Sequence, residues 1–87
     1  MLTGSQIRAA RALLKWSAQK LADASDLGLS TIQRMENSDS VPSASGKNIE
    51  AVQRVLERGG VEFIDANGGG PGVRLRAKPE AARSKKK

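Results

Sequence analysis

Three groups of residues in this 87-residue chain could carry chemistry. Asp23 and Asp26 stand close enough to act as paired carboxylates on a shared proton or metal ion. Gly68, Gly69, Gly70, Pro71 and Gly72 form a run of the kind that cradles phosphate. Fifteen lysines and arginines against nine acids give a net charge of +6, which suits a polyanionic partner. The first two readings fail on context. Histidine and cysteine are absent, so no thiolate or imidazole can serve as nucleophile, general base or zinc ligand. Asp23 and Asp26 fall in a short helix and the turn after it, with no metal partner, and read as surface and capping residues. The glycine run lacks the Lys-Ser/Thr pair and the following helix of a phosphate loop, and reads as a hairpin turn. The chain is therefore expected to be non-enzymatic, with no cofactor and no metal.

The charge is unevenly placed. Residues 1–20 carry Arg8, Arg11, Lys15 and Lys20 with no acid. Residues 21–66 carry Arg34, Lys47, Arg54 and Arg58 against Asp23, Asp26, Glu36, Asp39, Glu50, Glu57, Glu62 and Asp65, so that residues 1–66 are neutral as a whole. The basic excess belongs to residues 67–87 and says little about the folded part.

The elements that must position any binding residues follow from periodicity and capping. Thr3 with Gln6 fits a capping box, and Ile7, Ala10, Leu13 and Leu14 recur at helical spacing, predicting a helix over about Gly4 to Lys15. Trp16 follows at its end as a core residue. Ser17 caps a second helix, Ala18 to Ser25, with Leu21 and Ala22 inward. Asp26, Leu27 and Gly28 make a turn, and a third helix runs from Leu29 to about Asn37 with Ile32 and Met35 inward. The polar stretch Ser38–Gly46, with Pro42, is expected as a loop. A fourth helix begins between Ser43 and Asn48 and ends at Arg58, before Gly59 and Gly60; its stripe is Ile49, Val52, Val55 and Leu56. Val61–Ile64 and Val73–Arg76 alternate as a short β-hairpin. The division expected is a helical domain over 1–60, a hairpin over 61–76 and a disordered basic tail over 77–87, including Lys85, Lys86 and Lys87. No apolar run approaches the ~20 residues needed to cross a bilayer, and the N-terminus lacks a cleavable signal pattern, so the expected location is cytoplasmic, at the nucleoid.

Between Ser17 and Asn37, two short helices joined by a tight turn place the second across the first. Leu21, Ala22, Leu27, Ile32 and Met35 supply the small core that fixes the angle. Such a second helix can enter a major groove while the first spans the backbone. Here the chain resembles the lambda-repressor-like, Xre/Cro-type helix-turn-helix family, through Leu21-Ala22, Leu27, Ser30-Thr31-Ile32, Arg34, Met35 and Glu36, with Arg11 in the first helix. The resemblance covers residues 5–58. It implies a mainly α fold: a four-helix lambda-repressor-like DNA-binding domain, here with a C-terminal β-hairpin where the family has a fifth helix.

What the resemblance implies for the site is carried over residue by residue. Leu29, Ser30, Gln33 and Arg34 would meet base edges. A guanidinium such as that of Arg34 pairs with guanine O6 and N7, a glutamine such as Gln33 with adenine, and an apolar side chain such as Leu29 with a thymine methyl. Lys15, Ser17, Gln19, Lys20, Thr31, Asn37 and Ser38 would meet phosphates, with free N–H groups at the start of the second helix. Arg11 and Glu36 would form a structural ion pair. The family's frequent glutamine at the start of the second helix is Ala18 here, which removes one base contact. Each role has a plainer competitor: Leu29 as core, Ser30 as a helix cap, Arg34 paired with Asp39, and Lys15 and Lys20 as solvated surface lysines.

The expected function is a sequence-specific transcriptional regulator, a repressor binding a palindromic operator in double-stranded DNA as a homodimer. Dimerisation is assigned to the hairpin through Val61, Phe63, Ile64, Val73 and Leu75, because an exposed strand edge on a small domain invites pairing. The alternative is a protein-binding antitoxin or antiactivator whose main ligand is a protein partner. No membrane partner is expected.

Overall fold

The structure, a computed structural model, describes residues 2–38, 45–66 and 68–76. Most of the expected loop before the fourth helix and all of the expected basic tail lie outside the described residues. The elements are α1 (Gly4–Leu14), α2 (Ala18–Ser25), α3 (Leu29–Glu36), α4 (Gly46–Gly59), β1 (Val61–Ile64) and β2 (Gly72–Leu75). The expected class, four helices and a two-stranded hairpin, is what the chain adopts.

The helix ends follow local chemistry. Thr3 accepts from the Gln6 backbone N–H while the Gln6 side chain accepts from the Thr3 N–H, a reciprocal capping box. Ser17 and Ser45 each accept a backbone N–H in the first turn of α2 and α4. α1 ends one residue earlier than periodicity suggests, because Lys15 turns left-handed at φ 60°. The Lys15 and Trp16 N–H groups then bond back to Ala12 and Arg11 carbonyls, the arrangement of a Schellman stop. Asp26, at φ 58°, ends α2 in the same way, with Leu27 N–H bonded to the Ala22 carbonyl. At the end of α4, Gly60 takes φ 120°, which a side chain would resist.

Leu2, Ile7, Ala10, Leu21, Ala22, Ile32, Met35, Ile49, Val52, Leu56 and Val61 form one core. Every helix and β1 contribute to it. Leu14, Trp16, Leu27, Leu29, Val55, Phe63 and Val73 pack around its margin, partly exposed. Burying each of the large core side chains contributes about 1.5–3 kcal/mol. Leu13, expected on the apolar stripe of α1, points outward instead and is 39% exposed.

The strands pair antiparallel, with Val61 opposite Leu75 and Phe63 opposite Val73. The second strand begins at Gly72, one residue before the alternating run. Gln6 joins this hairpin to α1. It is buried, and its Nε2 donates to the Gly72 carbonyl at 2.9 Å and the Ile64 carbonyl at 3.4 Å. One glutamine thus caps α1 with its oxygen and holds the hairpin with its nitrogen.

Candidate nucleic-acid interface

α2 and α3 are held at their angle by Leu21, Ala22, Ile32 and Met35, each buried to 1% exposure or less. Ala22 is fully buried, so a larger side chain there would have to displace its neighbours. Ser25 is buried and donates its hydroxyl to the Leu21 carbonyl at 2.7 Å, so it adds no unsatisfied polar group. With the inner face so occupied, α3 turns Ser30, Gln33 and Arg34 outward, all exposed. Among the described residues, Arg34 has no hydrogen bond or ion pair, and its guanidinium fork is available to a ligand. Asp39, its competing partner, lies outside the described residues.

Leu29 is half-buried and packs on the core margin, so only part of its side chain faces out. Ser30 does not cap α3. The cap is Gly28, without a side-chain bond, and Ser30 sits two positions inside the helix. Its hydroxyl is thereby left to the exposed face. Thr31 is half-buried beside it.

The start of α2 carries the residues expected at phosphates. The Ser17 oxygen accepts from the Lys20 N–H at 3.0 Å, and its O–H remains to donate onward. Gln19 donates one of its two amide hydrogens to Asp23 Oδ1 at 2.9 Å, which draws it toward that carboxylate. Lys20 Nζ lies 5.3 Å from the centre of the Trp16 ring, a cation–π contact that holds its charge beside the α2 N-terminus. Lys15 is exposed at the left-handed end of α1. Asn37 is exposed and caps α3, with half-buried Ser38 following it.

Two arginines of α1 set where this surface sits. Arg11 Nε donates to Glu36 Oε2 at 2.7 Å, and its Nη2 donates to Oε1 at 3.0 Å. Its Nη1 also donates to the Trp16 carbonyl at 2.9 Å. Those hydrogen bonds to the carboxylate raise the Arg11 pKa above its ordinary value, against the opposing effect of desolvation. Arg11 therefore ties the last residue of α3 to the residue before the α2 cap. Arg8 Nη1 donates to the Glu36 backbone carbonyl, where a helix leaves carbonyls unpaired and carries partial negative charge. Arg8 is a positioning residue that composition and spacing did not single out, and Gln6, expected only in the capping box, positions the hairpin as well. Both act on main-chain carbonyls remote in sequence, and such partners leave no periodic trace.

Of the hairpin residues assigned to dimerisation, Val61 is fully buried in its own chain's core and offers no surface. Phe63 and Val73 are half-buried against that core, whereas Ile64 and Leu75 are 37% and 54% exposed. Among the described residues, no cluster of acids could hold a metal ion, and no helix is long and apolar enough to cross a membrane.

A family model described as helix-turn-helix matches residues 7–63, about two thirds of the chain. No curated protein matches the sequence significantly. The matched span runs from the core face of α1 to the middle of β1 and includes every helix that shapes the surface described above.

Proposed function

Because the chain belongs to the lambda-repressor-like helix-turn-helix family, and so is a DNA-binding regulator, we propose that it is a sequence-specific repressor that binds a palindromic operator as a homodimer. The observation that carries this reading is the outward face of α3, where Arg34, without a partner among the described residues, stands beside Gln33 and Ser30 on a helix locked from behind by α1. Arg34 reads guanine, Gln33 reads adenine, and the exposed part of Leu29 meets a thymine methyl. Ser17, Lys20, Lys15, Thr31, Asn37 and Ser38 hold phosphates on either side, with the free N–H groups of the α2 N-terminus. Gln19 joins them with the amide hydrogen that Asp23 does not take. In a two-fold complex the half-sites lie about one helical turn, ~34 Å, apart. The protein acts in the cytoplasm, at the nucleoid.

The test is selection of binding sites from random duplex DNA by the full chain at a stated salt concentration, because cationic segments add sequence-independent attraction. A two-fold symmetric consensus is expected. Arg34→Ala then weakens binding to it by about 1–3 kcal/mol and relaxes preference at one position in each half-site. Undiminished, equally selective binding by that variant rejects the assignment of Arg34. Absence of any consensus, with a single protein partner co-purifying, favours the antitoxin or antiactivator reading.

A further inference from the structure

We infer that the outer edge of β2, with the flank of α1 beside it, is a self-association surface on which a second copy of this chain pairs its own β2 antiparallel about Val73. This rests on the homodimer reading above and specifies where the two copies meet.

The ladder sets which main-chain groups are free. Arg76 N–H donates to the Gly60 carbonyl at 2.8 Å, which marks that pair as hydrogen-bonded. Antiparallel pairs alternate, so Glu62 with Arg74 and Ile64 with Gly72 are also bonded pairs. The main-chain N–H and carbonyl groups of Val73 and Leu75 therefore point away from β1. Among the described residues, nothing bonds to them. The opposite edge differs, since the Val61 carbonyl accepts from Arg76 Nη2 at 3.2 Å. The β2 edge carries no such side-chain bond among the described residues.

The side chains around that edge are mixed. An open groove of about 410 Å³ runs between α1 and β2, lined by Thr3, Ser5, Gln6 and Ala9 on the α1 side and by Pro71 and Val73 on the other. Leu13, one turn beyond Ala9 on α1, and Leu75, two residues beyond Val73, are two of the three most exposed large apolar side chains among the described residues.

The charges select a second copy as the occupant. Glu62 and Asp65 balance Arg74 and Arg76 across residues 61–76, so two hairpins meet without net repulsion. Arg74 is bonded to Glu62 at 3.1 Å, and Arg76 donates to the carbonyls of Glu57 and Val61. Neither arginine is left over for a phosphate. A second β2 offers the same free groups: about a two-fold axis the two Val73 residues exchange both main-chain bonds, and each Leu75 N–H donates to the other copy's Pro71 carbonyl, while the Leu75 carbonyl, opposite a proline nitrogen, gains no partner. Pairing about Val73 sets each Arg74 opposite the other copy's Gly72. Pairing about Arg74 would oppose two like charges, which is destabilising.

The test is sedimentation of the full chain and its variants, with crosslinking. Wild type is expected at about twice its 9.2 kDa chain mass. Val73→Pro removes an outward N–H and leaves the β1–β2 ladder intact. Leu75→Glu places a carboxylate at an exposed position. Both are expected to sediment at the single-chain mass with unchanged helical circular dichroism, and if Val73→Pro fails to fold, Leu75→Glu decides. The chain has no cysteine, so Val73→Cys is expected to form a disulfide dimer on oxidation, and Ala24→Cys, exposed on α2, is not. A wild-type dimer that survives Leu75→Glu undiminished, or that crosslinks as readily through Ala24→Cys as through Val73→Cys, overturns this surface and leaves the homodimer standing. A wild-type chain that stays monomeric and binds operator DNA as independent single copies overturns both.

Discussion

Arg11 grips both oxygens of Glu36 and the Trp16 carbonyl, so one side chain relates the end of α3 to the start of α2. Glu36 is 8% exposed and Arg11 25%, which makes the pair partly buried. Removing one partner of a fully buried pair costs about 3–5 kcal/mol, because the other charge is left uncompensated. Glu36→Leu is expected to cost less than that, since Arg11 retains water on one side; urea unfolding gives the value. Adding Arg11→Met to Glu36→Leu should recover much of the loss, as it removes the stranded charge. A double variant no more stable than Glu36→Leu alone would show that the Arg11–Trp16 bond, and not the ion pair, carries the stability. Types alone suggested this pair only through family resemblance. The hold of Gln6 on the hairpin and of Arg8 on α3 escaped notice because their partners are carbonyls, which every residue possesses.

Among the elements, α1 is placed by what it lacks at its start. A Cβ on Gly4 would lie 1.8 Å from the Ser38 carbonyl oxygen and 2.5 Å from that of Met35. The clash is with backbone, so either α1 or the chain leaving α3 must move. Gly4→Ala is therefore expected to destabilise by at least the ~1–3 kcal/mol typical of overpacking, despite alanine's better helix propensity. Thermal unfolding checks the sign; a rise in Tm would contradict the contact. The hairpin carries a pH-dependent element. The hydrogen bond from Arg74, with its charge, holds the Glu62 carboxyl below its ordinary pKa. Its small contribution to strand pairing is thus present above the ordinary glutamate range and lost as pH falls through the lowered value. Both groups are exposed, so the effect is local. It is expected as a Glu62 carboxyl titration in NMR that shifts toward the ordinary value in Arg74→Gln.

At the scale of the whole molecule, net charge and recognition are separable. Residues 77–87 contain Lys78, Arg83, Lys85, Lys86 and Lys87 against Glu80, whereas residues 1–66 are neutral. Truncation to residues 1–76 is expected to weaken binding to random DNA and to flatten its dependence on salt, because fewer counterions are released. Preference for the selected site over random DNA should persist, since α2 and α3 are unchanged. Equal salt slopes for the two chains would show that the tail makes no phosphate contacts.

Helices, turns and the interior face of α3 were legible in the chain because capping and periodicity are local. Thr3 with Gln6, Ser17 before Ala18, and the spacing of Leu21, Ala22, Ile32 and Met35 each determine an element within a few residues of themselves. The left-handed stop at Lys15, the inward burial of Val61 and the outward turn of Leu13 were not legible. Each depends on which distant surface an element meets, and alternation or helical spacing cannot rank one apolar residue above another. The outer face of α3 divides in the same way. Its residue types are those of a base reader, but only packing decided that Leu29 is partly withdrawn to the core while Arg34 is exposed. By itself the sequence determined what each segment could become; the tertiary structure decided which side of it remains for a partner, because burial is a property of two surfaces together.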